Sequence, residues 1–515
     1  MILYHNGTIL TLDNNNRVGS CLLVDVGKIT GVFDSVDECG KKENLELVDL
    51  QGKTVIPGFN DNHIHLNFLG DSLESLHFTD KNEDEIVALL LKRFGSVKKG
   101  VVIEGQDWDY PACSDPHKEI LDKAFPDNPV ILSQYGGHTL WVNSVTLKKM
   151  KIDSGTPDPD EGIICRDKNR EPTGILKDIH NNSFIYRWFV GKLINYKKIQ
   201  ANYLAAFREC ARYGITSLQD NTWSFVAMMV IGKLYRKGML GARLSCWSNG
   251  ESGLFRPLFN IQRFNSHWFQ RGPAKFFLDG TFSGRNAWVK DPYPGTEGNC
   301  GQGKSKENIL KFLEKEIRKK QTCAFHAIGD RAISEFLDAL EELAEKYAYI
   351  PSLRIRLEHA QLISPEDFQR IKDLGVLISA QPSALCNPEK DITILGKNRT
   401  DKAYPYRSLL DKGIPLSFGS DAPGENTLNP FENIHFAVNR TGPEKISVLE
   451  ALKCYTSGSA YAEFREKEKG TLSPGMTADF IVLSENPMNI EQNKIKDIIV
   501  EQTYLNGVQI YPSNG

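Results

Sequence analysis

His63 and His65 stand two residues apart in the run Asn60-Asp61-Asn62-His63-Ile64-His65, after an apolar stretch, Thr54-Val55-Ile56, and a Pro57-Gly58 turn. In an extended chain, residues i and i+2 share a face, so both imidazoles converge on one point, as a metal site requires. Such pairs also arise by chance; the strand-end position gives this one its weight. His326 closes the run Cys323-Ala324-Phe325-His326 before Ala327-Ile328-Gly329-Asp330, and His359 closes Arg354-Ile355-Arg356-Leu357-Glu358-His359. Asp421 follows Leu416-Ser417-Phe418-Gly419-Ser420 and precedes Ala422-Pro423. Taken singly, each histidine reads as a packed core residue and Asp421 as a turn or helix cap. Their common place at the ends of apolar runs groups them. Four imidazoles and a carboxylate form a ligand set suited to Zn²⁺, with Mn²⁺, Fe²⁺ and Co²⁺ as alternatives. Lys275 opens the run Lys275-Phe276-Phe277-Leu278. A lysine there is usually exposed, its stem lying along apolar surface. Buried inside a barrel, it would be driven towards the neutral amine.

Residues so far apart in sequence meet only if a regular scaffold presents strand ends together. The middle of the chain alternates short apolar runs with amphipathic stretches. Strands are expected at Val101–Glu104, Val130–Ser133, Thr216–Gln219, Arg243–Trp247, Lys275–Leu278, Ala324–His326, Arg354–Leu357, Val376–Ala380 and Leu416–Phe418. Helices are expected at Ile199–Arg212, Glu307–Lys319, Ile333–Lys346, Pro365–Leu374 and Val448–Phe464, the fourth with Ser364 as N-cap. Ile333, Phe336, Leu337, Leu340, Leu343 and Ala344 fall on one face at helical spacing. This alternation predicts parallel βαβ units closing into a barrel, whose strand ends face one mouth. Residues 67–200 exceed one βα unit and are expected to form an insertion covering that mouth. Short β-like runs with Asn-Gly and Gly-Lys turns occupy the first 60 residues and recur from Asp479 onward. They predict one β-sandwich built from residues 1–58 and 465–515, flanking a barrel over 59–464.

The chain has 515 residues, 40% hydrophobic and 25% charged, with a formal net charge of −3. That balance gives no electrostatic reason to bind nucleic acid or an anionic membrane. No apolar run nears the roughly 20 residues that span a bilayer. The first residues, Met1 to Asp13, lack the basic and apolar regions of a signal peptide. Ten cysteines without a CxxC pair fit reduced, packed thiols, so a cytoplasmic protein is expected.

With these motifs the chain resembles the amidohydrolase superfamily, in the amidohydrolase-3 branch that includes N-substituted formamide deformylase. Further segments carry the likeness: Gly105-Gln106-Asp107-Trp108-Asp109, Gly137-His138-Thr139-Leu140-Trp141-Val142-Asn143-Ser144, Pro172-Thr173-Gly174 and Ala478-Asp479-Phe480-Ile481-Val482-Leu483. The resemblance implies a distorted (β/α)8 TIM barrel beside a sandwich from both termini. It implies one or two divalent ions, with two Zn²⁺ expected. His63, His65 and Asp421 would hold the more buried ion, and His326 and His359 the other. Lys275, in the pattern Lys275-x-x-x-Asp279-Gly280, would bridge them as a CO2-derived carbamate. Asn60 is more polar than is usual in relatives, and Asn286 stands where many carry threonine. The activity implied is hydrolysis of a non-peptide C–N bond in a small molecule. Metal-activated hydroxide would attack, and Asp421 would serve as general base and then acid. His138, Trp108 and Arg285 are candidate substrate contacts. Deaminase, lactonase and phosphoesterase activities remain open on the same scaffold, as does a non-catalytic scaffold or regulator. A homodimer is an open alternative to a monomer.

Overall fold

A computed structural model describes residues 1–40, 42, 44–134, 139–158, 163–177, 183–222, 224–251, 266–425 and 427–512. The chain divides into two compact units, Met1–Phe68 with Tyr203–Gly515, and Leu69–Asn202.

The first unit holds eight strands in one parallel sheet. They are β1 (Phe59–Ile64), β2 (Ile215–Asp220), β3 (Arg243–Asn249), β4 (Phe269–Phe277), β5 (Cys323–Ala327), β6 (Arg356–His359), β7 (Leu377–Ala380) and β8 (Leu416–Phe418). Each pairs in parallel with its neighbours in sequence. The gap between β8 and β1 is bridged beyond the strand ends. Asp421 N donates to His63 O at 2.7 Å, and His65 N to Ala422 O at 3.0 Å. The sheet is a distorted (β/α)8 barrel. Helices Phe225–Arg236, Lys306–Ile317, Asp330–Ala344 and Asp367–Asp373 alternate with its strands. In Asp330–Ala344 the face expected from spacing is buried at Ile333, Phe336, Leu337, Leu340 and Leu343, while Ala344 at its end is only half-buried.

Parallel strands covered on both faces usually read as unbroken apolar runs. Here the barrel interior also carries polar side chains, and they bond one another. Asn62 Nδ2 donates to Ser417 Oγ, and Ser379 Oγ donates to Asn62 Oδ1 at 3.1 Å. Arg356 donates to Gln219 Oε1 at 2.5 Å and to Asn62 O at 3.0 Å.

Both termini build the sandwich. One sheet runs Lys28–Phe33, Cys21–Asp25, Ile2–His5, Glu46–Asp49. The other runs Val508–Tyr511, Val500–Leu505, Phe480–Leu483, Thr54–Pro57, Thr8–Leu10, Val18–Gly19. Tyr4, Leu22, Val24, Val55, Phe480 and Tyr504 share one core between them, where the Phe480 and Tyr504 rings stack at 4.3 Å. Two hairpins turn through pairs with positive φ at both central residues, Val26-Gly27 (45° and 72°) and Asn506-Gly507 (55° and 76°). These are the tight turns whose twist matches the strands. A buried ion pair ties sandwich to barrel. Arg243 on β3 donates through Nε and Nη2 to Asp479 at 2.5 and 2.9 Å.

The second unit contains a five-stranded sheet ordered Ile163–Arg166, Pro172–Lys177, Thr139–Val142, Val130–Gln134, Ile103–Trp108. Two strands expected from the alternating pattern, near 101 and 130, therefore belong to this sheet and not to the barrel.

Three local expectations are corrected. β4 opens at Phe269, six residues before Lys275. The Gly272-Pro273 pair reads as a break, but the strand passes it where the pairing register with β3 shifts. A Cβ on Gly272 would meet Trp247 Cδ1 at 2.2 Å, so that glycine admits the indole. The helix expected over Val448–Phe464 is two, Val448–Tyr455 and Ser457–Ala462, broken at Thr456 (φ −124°, ψ −89°). Ser364 is not an N-cap: its carbonyl accepts from Asp367 N in a turn, and the helix begins at Asp367. All ten cysteines are free, most of them buried. No helix among the described residues is long and apolar enough to cross a membrane.

Candidate metal centre

His63 lies on β1, His65 just beyond it, and Asp421 just beyond β8. One ligand atom from each falls within 4.8 Å of the other two. Asp421 Oδ1 stands 3.5 Å from His63 Nε2 and 3.1 Å from His65 Nε2. Two ligands each about 2.1 Å from a tetrahedral ion are roughly 3.4 Å apart, so both spacings suit one ion. Among the described residues this is the one such group of three His, Cys, Asp or Glu side chains. Its backbone is unusual. Asp421 has φ 54° and His359 φ 71°, a region that side-chain-bearing residues seldom occupy. Such conformations persist where surroundings fix them, often at working sites.

A buried carboxylate orients His63. Glu358 Oε2 is 2.6 Å from His63 Nδ1. A carboxylate only accepts, so Nδ1 carries the proton and Nε2 presents a lone pair. Glu358 Oε1 in turn accepts from Arg356 Nε at 2.8 Å. The guanidinium lies 4.6 Å from the Trp247 ring centroid, and that ring meets His63 edge-on at 5.2 Å.

The remaining expected ligands adjoin this cluster. The His359 ring is 5.3 Å from that of His63 and 4.4 Å from that of His326. His326 Nε2 donates to Gly280 O at 3.0 Å, which leaves Nδ1 free to ligate. Lys275 is 1% exposed on β4, paired between Asn249 and Ala324.

Electrostatics sharpen these assignments. Burial, opposed by Glu358 and Asp421, brings Lys275 down to about 8. Burial and then the Lys275 charge lower His326 to about 4 and hold His63 well below its ordinary range. Burial, then the charges of His326 and Lys275, do the same to His359. These imidazoles are therefore neutral, the form that binds a cation. Burial raises the Asp421 carboxyl, but His63, His65 and Lys275 outweigh it and hold the group at about 2. The donor set fits a divalent cation: neutral nitrogens, an ionised oxygen, and spacings that one ion can satisfy.

The candidate substrate contacts fare differently. His138 lies outside the described residues. Trp108 is fully buried in the core of the second unit, and its indole N–H already donates to Leu132 O at 3.0 Å, leaving no polar atom to offer a substrate. Arg285 is half-buried in the loop after β4 with φ 53°, its carbonyl accepting from Asn299. Asn286 braces the same loop through Thr281 N at 2.8 Å. Asn60 reaches Glu463 at 2.7 Å, which accounts for a polar residue there.

Glu358, Arg356 and Gln219 received no role from the sequence. The signal was present in part: Arg356 and Glu358 sit two apart on a strand, hence on one face, directly before His359. Asp279 was noted only as part of a pattern. Its carboxylate accepts from Ile328 N, Gly329 N and Trp288 N at 2.8–3.1 Å, so it fixes the loop after His326. Asp220 does likewise beside His65, accepting from Leu66 N, Tyr203 Oη and Thr222 Oγ1.

Comparison with known proteins gives the family and the fold. The amidohydrolase family profile matches residues 46–511. The chain is 30% identical to putative amidohydrolase YtcJ of Bacillus subtilis, over 99% of each chain. It is 26% identical to N-substituted formamide deformylase of Arthrobacter pascens, over 99% of this chain and 98% of that one. An uncharacterized metal-dependent hydrolase from Pyrococcus furiosus, solved by crystallography, superposes with a TM-score of 0.79 at 28% identity. That match covers 95% of this chain and all of the other.

Proposed function

The chain belongs to the amidohydrolase family, in its amidohydrolase-3 branch, as a metal-dependent hydrolase, and from that premise we propose that it cleaves a non-peptide C–N bond of a small molecule. The convergence of His63, His65 and Asp421 carries the reading. A divalent cation held there supplies Lewis acidity, which makes water a nucleophile near neutral pH and polarises a carbonyl. His63 and His65 would hold it through their Nε2 atoms. Glu358 keeps the His63 proton on Nδ1, so the ligating nitrogen stays unprotonated. Asp421 takes the proton from the attacking water and delivers it to the departing nitrogen, since an amine leaves poorly as its anion. Zn²⁺ is the ion we assign. A second ion would be held by His326 and His359, with Lys275 bridging as its carbamate. The depressed lysine supports that reading, because the neutral amine is the form that adds CO2.

The printed name of the deformylase relative directs the substrate search to N-substituted formamides first, then other N-acyl and cyclic amides. The test pairs metal analysis of the purified protein with that panel, run on wild type and Asp421→Asn. Bound zinc, turnover of at least one amide, and its loss in Asp421→Asn are expected. Undiminished turnover in the variant removes Asp421 from the mechanism, and a protein that binds no divalent metal refutes the hydrolase reading.

A further inference from the structure

Gln381 follows directly on β7 at the C-terminal end of the barrel strands. Two residues earlier, the Ser379 hydroxyl turns inward to Asn62. Alternation along an extended strand gives Gln381 the same inward side, one step nearer the mouth. Ala380 pairs with Phe418, and Gly419 N donates to Ala380 O at 3.1 Å. Gln381 therefore stands beside Gly419, two residues before Asp421. Neighbouring strands lie about 4.8 Å apart, within reach of a glutamine side chain.

Its backbone is held firmly. Ala384 N donates to Gln381 O, and Ser383 N donates to Asn433 Oδ1 at 2.9 Å. Asn433 Nδ2 bonds Thr427 O and Asn429 O, so the loops after β7 and β8 are clamped together.

The side chain is not held. Gln381 is 2% exposed, yet neither Oε1 nor Nε2 has a hydrogen-bond partner among the described residues. Inward polar groups deeper in the same barrel, among them Asn62, Gln219, Arg356 and Glu358, are bonded. A buried amide unpaired at both ends is a feature folded proteins avoid. Methionine has nearly the same volume and would escape the penalty. A glutamine amide offers an acceptor, Oε1, that a substrate N–H can meet, and a donor, Nε2.

We propose that Gln381 is a substrate-contact residue whose Oε1 accepts from the N–H of the amide group brought to the His63–His65–Asp421 centre, selecting N–H-bearing amides over tertiary amides and esters. This rests on the metal-hydrolase reading above and adds a specificity to it. A site built around a substrate N–H discriminates against the analogue lacking it, because its own acceptor is then left unpaired.

The test uses zinc-loaded, full-length protein and two metal-binding probes. Acetohydroxamic acid carries the N–H; N-methylacetohydroxamic acid lacks it. Wild type is expected to bind the first about tenfold tighter than the second, the worth of one hydrogen bond. Gln381→Met should bring the two within about twofold while leaving zinc affinity unchanged. Gln381→Glu keeps an acceptor for the N–H and should retain part of the preference, which general loosening of the fold would not do. Equal binding of both probes by wild type, or an undiminished preference in Gln381→Met, overturns the assignment and leaves the hydrolase reading intact. Failure of wild type to bind any divalent metal overturns both.

Discussion

Glu358 Oε2 sits 2.6 Å from His63 Nδ1, and the same carboxylate is gripped from its other side by Arg356. The pair converts a histidine of ambiguous tautomer into one whose Nε2 must face the centre. Removing the charge with Glu358→Gln lets the amide present its N–H in place of an acceptor and leaves Arg356 without its anion. Zinc affinity is expected to fall about 10- to 100-fold, the usual effect of losing such an outer partner. Chelator competition reads this directly; unchanged affinity removes Glu358 from the site's support.

Lys275 supplies a second prediction. If its amine bridges two ions as a carbamate, wild type incubated with ¹³C-bicarbonate and zinc gives a carbamate carbon resonance, which Lys275→Ala lacks. Metal content should fall from two ions to one per chain in the variant. A resonance of equal intensity in both proteins places the modification elsewhere.

Gly419 tests how tightly the centre is built. A Cβ there would approach Asn62 Oδ1 and His63 N to 2.6 Å and Asp61 Oδ1 to 2.7 Å. His63 N is backbone and cannot yield without moving His63 itself. Gly419→Ala should therefore keep the fold, by circular dichroism, and lose metal affinity by about tenfold or more, in line with overpacking of a close-fitted site. Retained affinity would mean that the first and last strands part more easily than their bonds suggest.

Acid stability follows from Arg243 and Asp479. Burial raises the Asp479 carboxyl, but the guanidinium, Asn506 N and Thr477 Oγ1 together hold it below its ordinary value. A depressed folded-state pKa contributes stability that is present above the unfolded value, about 3.9, and lost as pH falls through the folded one. Asp479→Asn leaves the buried Arg243 without its anion, with only the carbonyl of His267 and the amide of Asn506 as partners, so about 3–5 kcal/mol should be lost near pH 7. The deficit relative to wild type should shrink as pH drops below about 4. Urea unfolding across that range checks the sign; a deficit that does not shrink in acid assigns the loss to packing.

Much of this architecture can be read from the sequence, for identifiable reasons. The candidate ligands stand out because His63, His326, His359 and Asp421 each interrupt or end an apolar run, and barrel geometry brings strand ends together. The sandwich is announced by alternating runs and by Asn506-Gly507, whose left-handed pair permits little but a hairpin. The supporting residues are harder to see. Arg356 and Glu358 are charges on an expected barrel strand whose partners the sequence does not show; the interior hydrogen-bond network supplies them. Gly272-Pro273 hides the first half of β4, since nothing local says that the strand continues through the register shift. Thr456 gives no helix-breaking signal of its own; tertiary packing divides that helix. Trp108 reads as a pocket aromatic from its motif, whereas burial and the bond to Leu132 make it core.

The most direct test is anomalous X-ray scattering from zinc-loaded crystals collected on both sides of the zinc absorption edge. The account predicts a zinc peak bonded at about 2.0–2.2 Å to His63 Nε2, His65 Nε2 and an Asp421 carboxylate oxygen. Zinc bound elsewhere, with those three side chains free of metal, would contradict it.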